Sequence, residues 1–227
     1  MNNCNLYSLD GFQTLKVLKD VHLECIRTHT LAPLRECASI EKLFISECLD
    51  LESLEGLEDL SALRELYIHR SPVSDLTPLR MCRQLQKLNL YACMELRSLE
   101  GLQDMTMLRE LHLTKTGVND LSFLRHCTRM EKFQLCGGSK VRSVAGLQEM
   151  ADLRVLMLHH TNVSELTPLD GCARLEALGL YYCPELRSLS GLEKLCELKR
   201  IHMTKNMREQ VDVSPIPLDR RAIILYR

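Results

Sequence analysis

Several features that would assign a chain to a broad functional class are absent from this sequence. The 227 residues carry a formal net charge of −1, so no global field would draw the protein to nucleic acid or to an anionic membrane. No stretch is long and apolar enough to cross a bilayer, and the opening residues MNNCNLYSL lack the basic start and apolar run of a signal peptide. We therefore expect an intracellular, cytoplasmic protein that has no membrane span and for which nucleic acid is a disfavoured partner.

Sequence motifs of the common enzyme classes are also missing. The chain contains no phosphate-binding G-x-x-x-x-G-K-[ST], no dinucleotide-binding G-x-G-x-x-G, no zinc-binding H-E-x-x-H and no nucleophile elbow G-x-S-x-G. The run from Cys136 to Lys140 superficially resembles a phosphate loop, but it falls where Cys93 and Cys183 fall in the repeat described below. We therefore expect a non-enzyme with no cofactor and no small-molecule substrate.

Cysteine is abundant, yet its spacing does not favour disulfide bonds. The chain has 11 cysteines, an odd number, and no C-x-x-C pair. Cys37, Cys82, Cys127 and Cys172 recur every 45 residues, and equivalent positions in a repeat serve the same packing role. The spacing favours buried free thiols, which pack as small hydrophobes, over the two alternatives of a disulfide set and a metal site. Reduced thiols agree with an intracellular location.

A 45-residue period organises most of the chain. Glycine recurs at Gly11, Gly56, Gly101, Gly146 and Gly191, and the apolar pattern L-x-x-L-x-L restarts after alternating steps of 22 and 23 residues. A fixed period of this length indicates a stack of like units. Nine such units, here called rungs, begin at Leu18, Ile40, Leu63, Leu85, Leu108, Met130, Leu153, Leu175 and Leu198.

The rungs resemble leucine-rich repeats. Residues 63–71 read LRELYIHRS and residues 85–93 read LQKLNLYAC, which match the short strand and turn residue of that signature. The 22- and 23-residue spacing is similar to that of the internalins and a phosphatase regulator. Cysteine-rich repeats also occur in trypanosomatid leucine-rich repeat proteins, including an adenylate cyclase regulatory type. The resemblance implies an α/β solenoid, with about nine stacked parallel strands on its concave face and short turns or 3₁₀ segments on its convex face.

The register divides the chain into an array and a tail. Residues 1–206 form the predicted repeat array, and residues 207–227 form a C-terminal cap or tail, because a stacked core needs cover at its ends. We expect Val211, Val213, Ile216 and Leu218 to cover the last rung. Alternatively the array is part of a longer one, and residues 223–226 form a further strand or a docking segment.

Side chains between the inward-facing apolar positions project from the outer face of the sheet. Their first column alternates in charge from Asp20 to Lys132, then becomes uncharged at Val155 and Ala177. The next two columns are rich in residue types that favour protein contacts. We predict a concave face that binds a protein partner; β-propensity alone is the alternative explanation. The predicted contact residues are Phe44, Tyr67, His69, Tyr91, His112, Met157, His159, Tyr181 and His202.

Three functional hypotheses follow. The first is a non-catalytic interaction scaffold or regulatory subunit, which the family resemblance implies. The second, within the same class, is a substrate receptor of a ubiquitin ligase, since such repeats also place cysteine at the turn. The third is a metal-binding or cysteine/histidine catalytic protein that uses Cys136, His159 and His112, which the register places near one another. A flat sheet without an orienting carboxylate or oxyanion hole argues against the third.

Overall fold

The computed structural model describes residues 9–138 and 140–227. Positions 1–8 of the predicted array, and Ser139 in the run from Cys136 to Lys140, lie outside those ranges.

One sheet runs through the described residues, and its ten strands are parallel and follow chain order. All nine predicted strands are present in the predicted register, which pairs Asp20 with Lys42 and Ala177 with Arg200. The strands are β1 Asp20–Glu24, β2 Lys42–Ser46, β3 Glu65–His69, β4 Lys87–Asn89, β5 Glu110–His112, β6 Lys132–Gln134, β7 Val155–Met157, β8 Ala177–Leu180, β9 Arg200–Met203 and β10 Ile224–Tyr226.

Alternation along each strand builds the core. In β3 the side chains of Leu66 and Ile68 are fully buried, while the positions on either side are partly exposed. The same two positions in neighbouring rungs stack into one continuous apolar core. Because each rung contributes only a thin layer, its stability depends on the rungs on either side.

The return wall consists of short 3₁₀ segments, as the resemblance to leucine-rich repeats implied. Three of them have proline in the first turn, where its fixed φ suits the segment and its missing N–H costs little. Within the described ranges these 3₁₀ segments are Phe12–Thr14, Ala32–Leu34, Leu57–Asp59, Thr77–Met81, Ser122–Leu124, Thr167–Leu169, Lys205–Arg208 and Leu218–Ile223.

Two rung types alternate: glycine-type rungs carry the recurring glycine, and the rungs between them, here called proline-type, carry proline in the 3₁₀ segment except at Ser122–Leu124. Gly101 has a φ of 108°, and its backbone lies against Leu76 and Thr77, where the preceding rung begins its 3₁₀ segment. A Cβ at this position would fall closer than 3.0 Å to the Leu76 carbonyl. Gly56 packs in the same way against Leu31 and Ala32. A glycine-type rung therefore fits closely onto the proline-type rung before it.

The ten described cysteines are free, and seven of them are buried in the core. Their thiols contact carbonyl oxygens of the preceding rung: Cys82 Sγ lies 3.1 Å from the oxygen of Leu57, and Cys93 Sγ lies 3.3 Å from that of Ile68. This arrangement agrees with the predicted packing role. Cys25 and Cys196 are exposed, so the packing interpretation does not extend to them.

The tail adds a strand, and several of its apolar residues pack on the core. Val211 and Ile216 are buried, and β10 pairs in parallel with β9, which agrees with the alternative of a further strand. The prediction that Leu218 covers the core is wrong, because this side chain is 79% exposed. Leu218 begins a 3₁₀ segment whose last residue, Ile223, packs on the core instead. The division between array and cap at residue 206 stays a prediction.

Candidate partner-binding face

Charged side chains form self-neutralising ladders at the start of the strands. Lys42 Nζ lies 3.4 Å from a Glu65 oxygen, and Lys87 Nζ lies 3.2 Å from a Glu110 oxygen. One position earlier, a second ladder pairs residues such as Lys19 with Glu41 at 2.7 Å, which the sequence analysis missed. Exposed pairs of this kind contribute about 0–1 kcal/mol each. They keep this edge of the sheet polar and neutral.

The second column carries a stack of rings across the first three strands. His22 and Phe44 stack with centroids 4.4 Å apart, and Phe44 and Tyr67 stack at 4.3 Å with planes 2° apart. Both faces of the Phe44 ring are therefore covered by neighbouring rings. The repeat register predicts that Phe44 and Tyr67 lie on one face, but it does not predict that their rings stack.

Polar contacts hold Tyr67 in place. Its hydroxyl donates a hydrogen bond of 3.0 Å to Glu65, and burial together with this carboxylate raises the pKa of Tyr67 to about 12. His69 meets the edge of Tyr67 and of Tyr91. Burial lowers the pKa of His69, which favours the neutral imidazole at pH 7.

A second cluster, here called the C-terminal patch, consists of Met157, His159, Tyr181 and His202. His159 and Tyr181 stack at 4.8 Å, and Tyr181 Oη lies 3.2 Å from His202 Nδ1. His159 and Met157 lean over Gly179, since a Cβ there would fall within 3.0 Å of both side chains. The missing side chain at position 179 therefore makes room for the patch.

His112 lies between these clusters. It pairs in register with Asn89 on one side and Gln134 on the other. Burial, followed by the nearby Lys132, lowers the pKa of its imidazole. Eight of the nine predicted contact residues thus form two groups, and the ninth, His112, lies with Asn89 and Gln134 in a polar strip between them.

The geometry around Cys136 does not resemble an activated thiol. Burial raises the pKa of the Cys136 thiol, whereas a nucleophilic cysteine needs a lowered one. His159 Nδ1 already accepts a hydrogen bond of 3.1 Å from the backbone N–H of Tyr181. Among the described residues, no group of three His, Cys, Asp or Glu side chains could hold a metal ion.

The rim that follows the strands holds residues that sequence reasoning missed. After most strands, a residue one to three positions past the strand end adopts a left-handed conformation. Arg70 and Lys115 are two of these residues, with φ of 51° and 57°. Next to them lies a groove of about 440 Å³ that is also lined by Leu49, Tyr91 and Met94. The sequence did contain a signal for this groove, because Leu49 and Met94 are apolar at the same position of their rungs.

A matching ring pair lies further along the same rim. His160 and Tyr182 both have left-handed backbones, and their rings stack at 4.5 Å with planes 12° apart. Tyr182 is exposed. These rings extend the aromatic surface beyond the C-terminal patch to the rim of the sheet.

Comparisons with solved structures identify the fold. No protein-family model and no curated protein matches the chain. An internalin from Listeria monocytogenes is 23% identical, with a TM-score of 0.74 over 88% of this chain and 58% of its own. The leucine-rich repeat domain of the type III effector XopL is 19% identical, with a TM-score of 0.81 over 96% of this chain and 79% of its own.

A chain of the mouse RP105/MD-1 complex is also similar, with 21% identity and a TM-score of 0.66 over 84% of this chain and 36% of its own. Together with the ten-stranded parallel sheet, these similarities show that the protein has the leucine-rich repeat fold. Its chain spans a little over half of the internalin and about a third of the RP105/MD-1 component. In the described residues, no helix is both long and apolar enough to span a membrane.

Proposed function

We propose that this protein is a non-catalytic scaffold or regulatory subunit, which acts in the cytoplasm and binds a protein partner through the concave face of its sheet. The observation that carries the proposal is the C-terminal patch. Met157, His159, Tyr181 and His202 lie side by side there, next to the uncharged Val155 and Ala177. Large side chains held by neighbours lose little entropy on binding, which favours them as interface anchors.

The stacked rings favour protein over nucleic acid as the partner. Single-stranded nucleic acid binds by stacking its bases on free aromatic faces, but Phe44 has a ring packed against it on both sides. The charge ladders also leave this face without a basic surface for phosphates. Neighbours of the same fold include a component of a protein complex, which supports an interaction role in general. A role as substrate receptor of a ubiquitin ligase stays a prediction.

The test is partner capture followed by reconstitution. Affinity purification with mass spectrometry should recover a reproducible stoichiometric partner, whose binding to the purified protein is then measured by calorimetry. Met157→Glu and Tyr181→Glu should each weaken that binding at least about tenfold, as expected for a contact near an interface centre.

Met81→Glu is the matched control, because Met81 is an exposed methionine on the return wall. Thermal unfolding of each variant checks that the fold is intact. Unchanged affinity in folded Met157→Glu and Tyr181→Glu variants would rule out the C-terminal patch as the binding surface.

A further inference from the structure

The rim groove has an apolar wall that three successive rungs form. Leu49, Pro72 and Met94 occupy equivalent positions in three successive rungs and line the groove together. Leu49 is 73% exposed and Met94 is 66% exposed. The rungs immediately before and after these three hold Arg27 and Gly117 at the corresponding position. A local strip of exposed apolar side chains indicates a contact surface rather than a requirement of the fold.

Two cations two rungs apart line the groove together with this wall. Arg70 and Lys115 follow β3 and β5, and Ala92 follows the strand between them. Two strand spacings separate the two cations by about 10 Å along the rim. The short side chain of Ala92 leaves the space between them open, which forms the groove.

Glu47 lies beside the groove and Glu95 lines it, and each has a cationic neighbour. Glu47 forms an ion pair of 2.6 Å with Arg70, and Glu95 lies 3.8 Å from Arg97. Lys115 lies over the ring of Tyr91 at 5.7 Å, and no ion pair among the described residues includes it. The groove therefore presents an uncompensated positive charge beside an apolar wall.

We propose that the rim groove binds an extended acidic peptide segment that carries apolar side chains. An acidic residue of the segment would pair with Lys115, and a second one three positions away, about 10 Å along an extended chain, would reach Arg70, which already shares its charge with Glu47. Apolar side chains between them would contact Leu49 and Met94. This inference rests on the proposed function, since it names the chemistry of a segment of the protein partner.

The groove favours a peptide over a simple anion. Inorganic phosphate could use Lys115 and Arg70 but would leave the exposed Leu49 and Met94 without a contact. A segment with both acidic and apolar residues uses all four side chains, and Tyr91 joins the groove to the concave face.

Fluorescence anisotropy of a labelled octapeptide tests the proposal. The probe carries two glutamates separated by two leucines, with glycine and serine at its ends, and a second probe replaces the glutamates with lysines. Only the acidic probe should bind, and less tightly as salt rises. Lys115→Glu and Met94→Glu should each weaken binding at least about tenfold, because each removes one of the two kinds of contact.

Matched controls use exposed side chains away from the groove. Lys194→Glu and Met81→Glu make the same changes on the return wall and should leave binding unaltered. Equal binding of both probes, an unaffected Lys115→Glu variant, or full displacement by inorganic phosphate at equal concentration would each overturn the proposal. The Tyr181→Glu variant separates the two proposals. If the acidic probe does not bind but partner capture still depends on Tyr181, the groove proposal is wrong and the proposed function stands.

Discussion

Replacing Gly101 by alanine should destabilise the array through a contact between rungs. The φ of 108° costs an alanine about 1–2 kcal/mol, which the reduced entropy of the unfolded chain offsets by about 0.4–1 kcal/mol. The added methyl group also overlaps the Leu76 carbonyl. Overpacking of this kind costs about 1–3 kcal/mol. We therefore expect the free energy of unfolding to fall by about 1–5 kcal/mol.

Gly11 provides the matched control. Its φ is 92°, and its N–H donates to Gln13 just as that of Gly101 donates to Gln103. Among the described residues, however, no atom lies within 4 Å of the Cβ that alanine would add there. Gly11→Ala should therefore carry the φ cost alone. Urea unfolding, followed by circular dichroism, compares the midpoints of the two variants. Equal midpoints would refute the steric argument.

Three further predictions use pKa directions. Iodoacetamide at pH 8 should label the exposed Cys25 and Cys196 but not Cys82, because burial raises the pKa of that thiol to about 12; mass spectrometry of the folded protein checks this. Stability should fall as pH drops below 6.5, since burial lowers the pKa of His159 and the unfolded chain then binds more protons; His159→Gln should reduce the slope in urea titrations. Tyr67 should ionise near pH 12 by absorbance, and at a lower pH in the Glu65→Gln variant, in which burial still keeps the pKa of Tyr67 above its ordinary value.

The strand register could be predicted because core burial and chain period agree. A shift of one residue would turn Leu66 and Ile68 outward, so only one strand register buries the leucines of the pattern L-x-x-L-x-L. The concave columns follow directly from that register. The stacking of Phe44 on Tyr67 could not be predicted, because it depends on side-chain rotamers rather than on alternation.

The rim escaped prediction for a different reason. Alternation describes a strand, whereas Arg70 and Lys115 lie one and three residues beyond the ends of their strands, in a left-handed conformation that non-glycine residues seldom adopt. The tail also lacks the period, so its apolar residues could not be ordered by position. Ile216 is buried there and Leu218 is exposed, although the two are only two residues apart.

The fit of Gly101 against Leu76 limits how the array can change in length. The glycine of each glycine-type rung packs against the start of the 3₁₀ segment in the proline-type rung before it. If a second glycine-type rung stood there instead, this contact would be lost. Removing or duplicating a 45-residue segment keeps this alternation at both junctions. A segment of 22 or 23 residues would place two like rungs together. Growth of such a solenoid by gene duplication is therefore expected in steps of two rungs, which gives an even change in strand number.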